Sequence, residues 1–175
     1  MKNIVKISLL LIAFSFAATS CNKDKDGWSL YFGFTSDALL GDYYPNQELW
    51  ENELPEDHFD NYGCLIQYVP LVDAGCYVHR YMTNYRDNLQ FEFSGFPSDI
   101  ASVIGNNFTT NVYDSNNNYS FSLNSDSEVT VYKDQYGNIR LHGWVRKLTP
   151  NQPYGYDVID IYKYYCFDIV NYPAR

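Results

Sequence analysis

A chain of 175 residues with 21 acidic against 12 basic side chains carries a formal net charge of −9. An acidic surface repels nucleic-acid phosphates and anionic headgroups, so the balance argues against nucleic acid as a partner. The length fits one domain, and a chain of about 150 residues buries roughly 68–70% of its unfolded surface, enough for a core without metals or many disulfides.

The N-terminus holds Lys2 and Lys6, with no acidic residue before Asp24, and then an apolar run from Ile7 to Ala18. Twelve residues make about 18 Å of helix, too short for a bilayer core of about 30 Å. A positive start, a short apolar stretch and a small-residue exit form a secretory signal over residues 1–20. The exit reads Ala18-Thr19-Ser20-Cys21. It resembles the lipobox of bacterial lipoproteins, with Ala18 where that family usually has Leu. The resemblance implies cleavage before Cys21, a diacylglycerol thioether on its sulfur and N-acylation, hence a membrane partner through Cys21. Residues 21–27 then form a tether. Its Asn22-Lys23-Asp24-Lys25-Asp26 is similar to the surface-export signals of Bacteroidetes lipoproteins, and equally reads as an ordinary solvated linker. The same oxygens start like a calcium loop, but the twelfth position is Gly33 where a bidentate Glu is needed.

Residues 28–175 read as a single β domain. Trp28 to Phe34 alternates as a half-buried strand does, and residues 36–62 read as a long connection, with room for one short helix. Cys64–Val69 and Cys76–Thr83, separated by Pro70 and Gly75, read as a hairpin. Leu89–Ser94 follows, and Pro97-Ser98-Asp99 caps a short helix over Ile100 to Ile104. Phe108–Asp114, Tyr119–Leu123, Glu128–Lys133, Ile139–Leu148 and Asp157–Val170 are further strands, the last two joined by a loop with Pro150, Pro153 and Gly155. The pattern predicts an all-β fold, an antiparallel sandwich or barrel of about 8–9 strands with one short helix.

With Cys21 lipidated, Cys64, Cys76 and Cys166 remain. In an oxidising compartment they predict one disulfide and one odd thiol, with Cys64–Cys76 across the hairpin as the first pairing and Cys166 as an alternative partner. No CxxC or HxxxH spacing supports a metal, and no catalytic or cofactor motif is present. His58, His79 and His142 each stand alone in the sequence, and His79 shares a face with Tyr77 and Tyr81.

Taken by face, the last strands say most. Ile139, Leu141, Gly143 and Val145 point inward with Ile159, Ile161, Tyr165, Phe167 and Ile169. The opposite parity collects Tyr132, Arg140, His142, Trp144, Tyr162 and Tyr164. If the strands form successive hairpins, Trp144 lies near Tyr162 and Arg146 near Asp160. Such a face either stiffens the sheet or serves as a ligand platform, since Tyr and Trp combine an apolar ring with a polar handle. The sequence points to a lipid-anchored module on the outer membrane, at the cell surface or on its periplasmic side, binding a glycan or protein partner. It resembles the small β-rich lipoproteins of Bacteroidetes. One alternative is a polysaccharide-acting enzyme using the acidic segment of residues 51–57; another is a structural component of a surface assembly.

Overall fold

The computed structural model describes residues 27–46, 54–83, 86–98, 100, 108–110, 119–123 and 126–172, with backbone alone for residues 81–83, 86–88 and 108–110. The strands are β1 (Ser29–Leu30), β2 (Gly41–Pro45), β3 (His58–Phe59), β4 (Leu65–Pro70), β5 (Gly75–Thr83), β6 (Arg86–Ser94), β7 (Phe108–Thr110), β8 (Ser120–Phe121), β9 (Ser127–Lys133), β10 (Ile139–Tyr154) and β11 (Asp157–Asn171). A 3-10 turn covers Ser36–Leu39. The fold is all-β.

Among the described residues the strands join in one open sheet, in the order β1-β9-β10-β11-β2-β5-β6-β7. β8 adds to β9, while β4, followed by β3, adds to β11. Every pairing is antiparallel except β4 with β11. The ends of the path do not meet, so the sheet folds over as a sandwich and does not close as a barrel.

Alternation explains the layers. Val129, Val131, Leu141, Val145, Phe167 and Ile169 line one inner face, and Val78, Leu89 and Phe91 line the other, all within one apolar cluster. Phe93 meets Phe167 edge-on at 5.4 Å between ring centroids. Each such side chain stabilises the fold by about 1.5–3 kcal/mol when fully buried. β2 carries the chain between layers, pairing Tyr44 with Val170 of β11 and Tyr43 with Cys76 of β5.

Several expectations need correction. The first strand stops at Leu30, because Phe32 and Gly33 turn and Gly33 takes φ 66, which glycine adopts without cost. That leaves Phe32 exposed. The connection of residues 36–62 contains β2 and β3, both too short to show a period. The strand beginning at Phe108 is described only to Thr110, and the helix over residues 100–104 lies outside the described residues apart from Ile100, which is buried.

β4 and β5 are not a hairpin. β4 runs parallel to β11, from Leu65 opposite Ile161 to Pro70 opposite Cys166, and β5 pairs with β2 and β6. The Cys64–Cys76 disulfide fails for this reason: all three described cysteines are free thiols. Cys64 precedes β4 and Cys76 follows it, and six extended residues at about 3.3 Å each separate their ends by about 20 Å. A disulfide needs Cα atoms within about 7 Å.

The loop expected at residues 149–156 is strand. β10 runs through Pro150 and Pro153 to Tyr154, and a two-residue turn at Gly155-Tyr156 returns the chain with Tyr154 opposite Asp157. Gly155, at φ 61, holds the first central position of that turn, where a II′ hairpin needs glycine. One extra residue is absorbed between Thr149 and Gln152, where Asn151 adopts φ 54. Both prolines are tolerated because β9 accompanies β10 only as far as Val145, so their missing N–H groups fall on an edge.

Candidate functional site

β9, β10 and β11 pair in register over Tyr132–Arg140–Val170, Thr130–His142–Asp168 and Glu128–Trp144–Cys166. Directly opposed residues share a face, so Tyr132, Arg140, His142, Trp144, Tyr162 and Tyr164 do stand together on the face away from the core. Their neighbours differ from expectation. Trp144 is opposite Cys166, Arg146 opposite Tyr164, and Leu148 opposite Tyr162. The tight turn at Gly155 and the bulge shift each partner by four residues along β11. Arg146 therefore pairs with Asp126 at 2.6 Å and does not meet Asp160, whose carboxylate accepts from the Asn151 N–H at 2.9 Å.

The face divides into two parts. At one end Arg140, only 2% exposed, donates Nε and Nη2 to the carboxylate of Asp168, itself 1% exposed, at 2.6–3.0 Å. His142 Nδ1 lies 3.1 Å from the same carboxylate, and Asn46 reaches it at 3.4 Å. The Arg140 guanidinium sits over the Tyr132 ring at 5.0 Å. Burial alone would raise the Asp168 carboxyl, but hydrogen bonds from His142 and Arg140, with their charges, outweigh it and hold the group below the ordinary carboxylate range. Arg140 is thus a buried brace of the sheet and not an exposed surface, with the half-buried Tyr132 ring over it.

At the other end, rings cross four strands. Trp144 meets Tyr164 edge-on at 5.1 Å, Tyr164 meets Tyr68 at 5.5 Å, and Tyr68 stacks on His58 at 6.1 Å. Beside them Arg146 lies over the Tyr162 ring at 5.2 Å. Its hydrogen bonds to Asp126 and Tyr164 reinforce its charge. Trp144, Tyr68, Tyr162 and Tyr164 are half-buried and His58 is exposed. The row sets four rings in line, with the Arg146 guanidinium beside them.

Tyr68 and His58 were invisible as members of this face. They reach it through the parallel pairing of β4 with β11, which no local turn announces. Asp168 had the correct parity, and its outward carboxylate between apolar neighbours was the available signal.

The acidic segment lies partly outside the described residues, which include Glu56 and Asp57 but not Glu51 or Glu53. Asp57 accepts from the Tyr68 N–H at 3.2 Å and from Gln67 at 3.1 Å, while the nearby Asp60 caps the turn through the N–H groups of Tyr62 and Cys64. On the other layer His79 stacks on Tyr77 at 4.9 Å and pairs with Glu92 at 3.0 Å, whereas Cys76 faces the core. An open groove of ≈ 420 Å³ runs beside them, lined in part by Asp42, Tyr44 and Asp73. Among the described residues no three His, Cys, Asp or Glu side chains converge as metal ligands, and no helix is long and apolar enough to cross a membrane. Cys21 and residues 1–26 lie outside the described residues. Comparison with protein-family models, curated proteins and solved structures found no match.

Proposed function

We propose that this chain is an exported lipoprotein, held at the outer membrane by lipid on Cys21, whose β domain binds a glycan through the outer face of β3, β4, β10 and β11. The observation that carries the reading is the ring row Trp144, Tyr164, Tyr68 and His58 with Arg146 beside it. Sugar rings offer C–H faces that pack on aromatic planes and hydroxyls that accept directional bonds from a guanidinium. The N-terminal run and Ala18-Thr19-Ser20-Cys21 support the anchor. Occupation of Asp57 and Asp60 by backbone N–H groups favours binding over hydrolysis through that stretch.

Two measurements test the two halves of this reading. Cys21→Ser should release the folded domain from membranes, and retention of that variant through a carbonate wash refutes the anchor. Oligosaccharides titrated onto the Cys21→Ser protein should change Trp fluorescence. Trp144→Ala should weaken that binding about tenfold or more while costing well below the roughly 3–5 kcal/mol of a core tryptophan. No response across acidic and neutral oligosaccharides, or a Trp144→Ala variant that unfolds, refutes the platform.

A further inference from the structure

The groove on the second layer is built around a missing side chain. On the outer face of β2, β5 and β6, Asp42 lies opposite Tyr77 and Tyr77 opposite Glu92. Gly75 precedes Tyr77 by two residues, so it shares that face, and it lies opposite Ser94. With no side chain of its own, Gly75 floors the hollow of ≈ 420 Å³ that Tyr44 and Ser94 help to line. A Cβ there would stand 3.0 Å from the Ser94 Oγ, so a single carbon would begin to fill it. His79, two residues beyond Tyr77, stacks on one face of the Tyr77 ring at 4.9 Å with the planes 13° apart. The other face therefore looks along β5 over Gly75, and Tyr77 is 45% exposed. Asp73 borders the groove two residues before Gly75.

We infer that this groove binds a small aliphatic polyamine, with one ammonium over the open face of Tyr77, between Asp42 and Glu92, and another beside Asp73. The charge is one-sided: no lysine or arginine is among the described residues that line the groove. Among the described residues the Asp42 and Asp73 carboxylates have no ion pair or side-chain hydrogen bond, while Glu92 has His79 at 3.0 Å. A metal ion fits poorly. Directly opposed residues have Cβ atoms about 5 Å apart, so Asp42 and Glu92 stand about 10 Å apart with the Tyr77 ring between them. Among the described residues these carboxylates do not converge as metal ligands. A cation that reaches both must be broad, and one that lies on a ring needs an apolar body. An ammonium is drawn to a tyrosine face by the ring quadrupole, and its methylenes pack on the ring carbons. Its N–H groups donate charge-assisted hydrogen bonds to the flanking carboxylates. The hollow over Gly75 gives the methylene chain its path from Tyr77 to Asp73. Small-ligand sites span about 300–1,000 Å³, and this groove falls at the lower end, which favours a free amine over a protein segment.

Calorimetric titration of the Cys21→Ser chain with spermidine, in about 0.15 M salt to screen long-range attraction, should saturate at one equivalent. Butylamine, with a single ammonium, should bind about tenfold more weakly or worse. Asp42→Asn and Asp73→Asn should each weaken spermidine binding about fivefold or more. Tyr77→Leu should weaken it about threefold or more. All three side chains are exposed, so circular dichroism should be unchanged. Asp157→Asn, at the exposed tip of the β10–β11 hairpin, should leave binding as it was. No saturable binding, a loss in Asp157→Asn equal to that in Asp42→Asn, or displacement by magnesium chloride at matched ionic strength overturns the inference. Tighter binding of a trilysine peptide than of spermidine overturns it as well, because the groove would then serve a protein chain. The groove lies on the other layer from Trp144, so these outcomes and those of the glycan titration are independent.

Discussion

Arg140 and Asp168, 28 positions apart in the chain, meet diagonally across β10 and β11 in a buried ion pair, with His142 on the same carboxylate. Removing one partner from such a pair leaves an uncompensated charge in the interior. Arg140→Ala should therefore cost about 3–5 kcal/mol in urea denaturation. Arg146 with Asp126 is nominally similar, but its side chains are 37% and 43% exposed and solvent screens them. Arg146→Ala should cost about 1 kcal/mol or less. Equal losses for the two variants would contradict the assignment of Arg140 as the brace and Arg146 as a surface group.

The same carboxylate gives a pH signature. Asp168 is depressed in the folded state against an unfolded value near about 3.9. A depressed group contributes its stability in full above the unfolded pKa, and that contribution disappears as pH falls through the folded value. Asp168→Asn should be less stable than the parent at pH 7. The difference should hold down to about pH 5 and narrow below about pH 4. Urea midpoints at four pH values decide this, and a difference that stays constant into acid would show that the carboxylate charge is not what stabilises the Arg140–Asp168 pair.

The cysteines make a third prediction. Burial pushes the Cys166 thiol up to about 11 and raises Cys76 further, whereas Cys64 is only half-buried at the start of β4. Thiolate is the reactive form, so a maleimide should label Cys64 first. Cys76 and Cys166 should react only on unfolding, and an unreduced digest should contain all three as free thiols. A disulfide-linked peptide pairing Cys64 with Cys76 would overturn the parallel placement of β4.

What the sequence made legible follows its local physics. The inward parity of Leu141, Val145, Phe167 and Ile169 was readable because residues two apart in a strand share a face, and those four do line the core. The outward set on β10 and β11 was readable for the same reason. Register was not, because it depends on where the chain turns, and the proline-rich stretch before Gly155 looked like loop. Nor was the β4–β11 pairing, which joins Tyr68 to Tyr164 with no connecting hairpin. Tyr43 shows a third limit. It anchors β2 by donating its hydroxyl to the Leu39 carbonyl at 3.0 Å, yet β2 spans five residues that include a glycine and a proline.

Gly143 tests the packing of the central layer. It lies on the inward parity of β10, opposite Phe167 on one side and Val129 on the other. A Cβ at this position would sit 2.6 Å from the Glu128 carbonyl oxygen, 2.8 Å from the Phe167 ring and 3.2 Å from the Val129 Cα. Two of these neighbours are backbone in a paired strand and cannot yield without disturbing the ladder. The third is a ring fully buried against Phe93 and Phe96. Alanine would gain strand propensity over glycine, an effect within about 1 kcal/mol. Overpacking a filled core costs about 1–3 kcal/mol, so the clash outweighs the propensity and Gly143→Ala should destabilise. Pairing it with Phe167→Leu, which withdraws the ring, should recover part of the loss relative to the sum of the two single changes. A double-mutant cycle in urea measures that coupling. A stabilising Gly143→Ala, or strict additivity of the pair, would mean that the Phe167 ring does not lie over the Gly143 backbone.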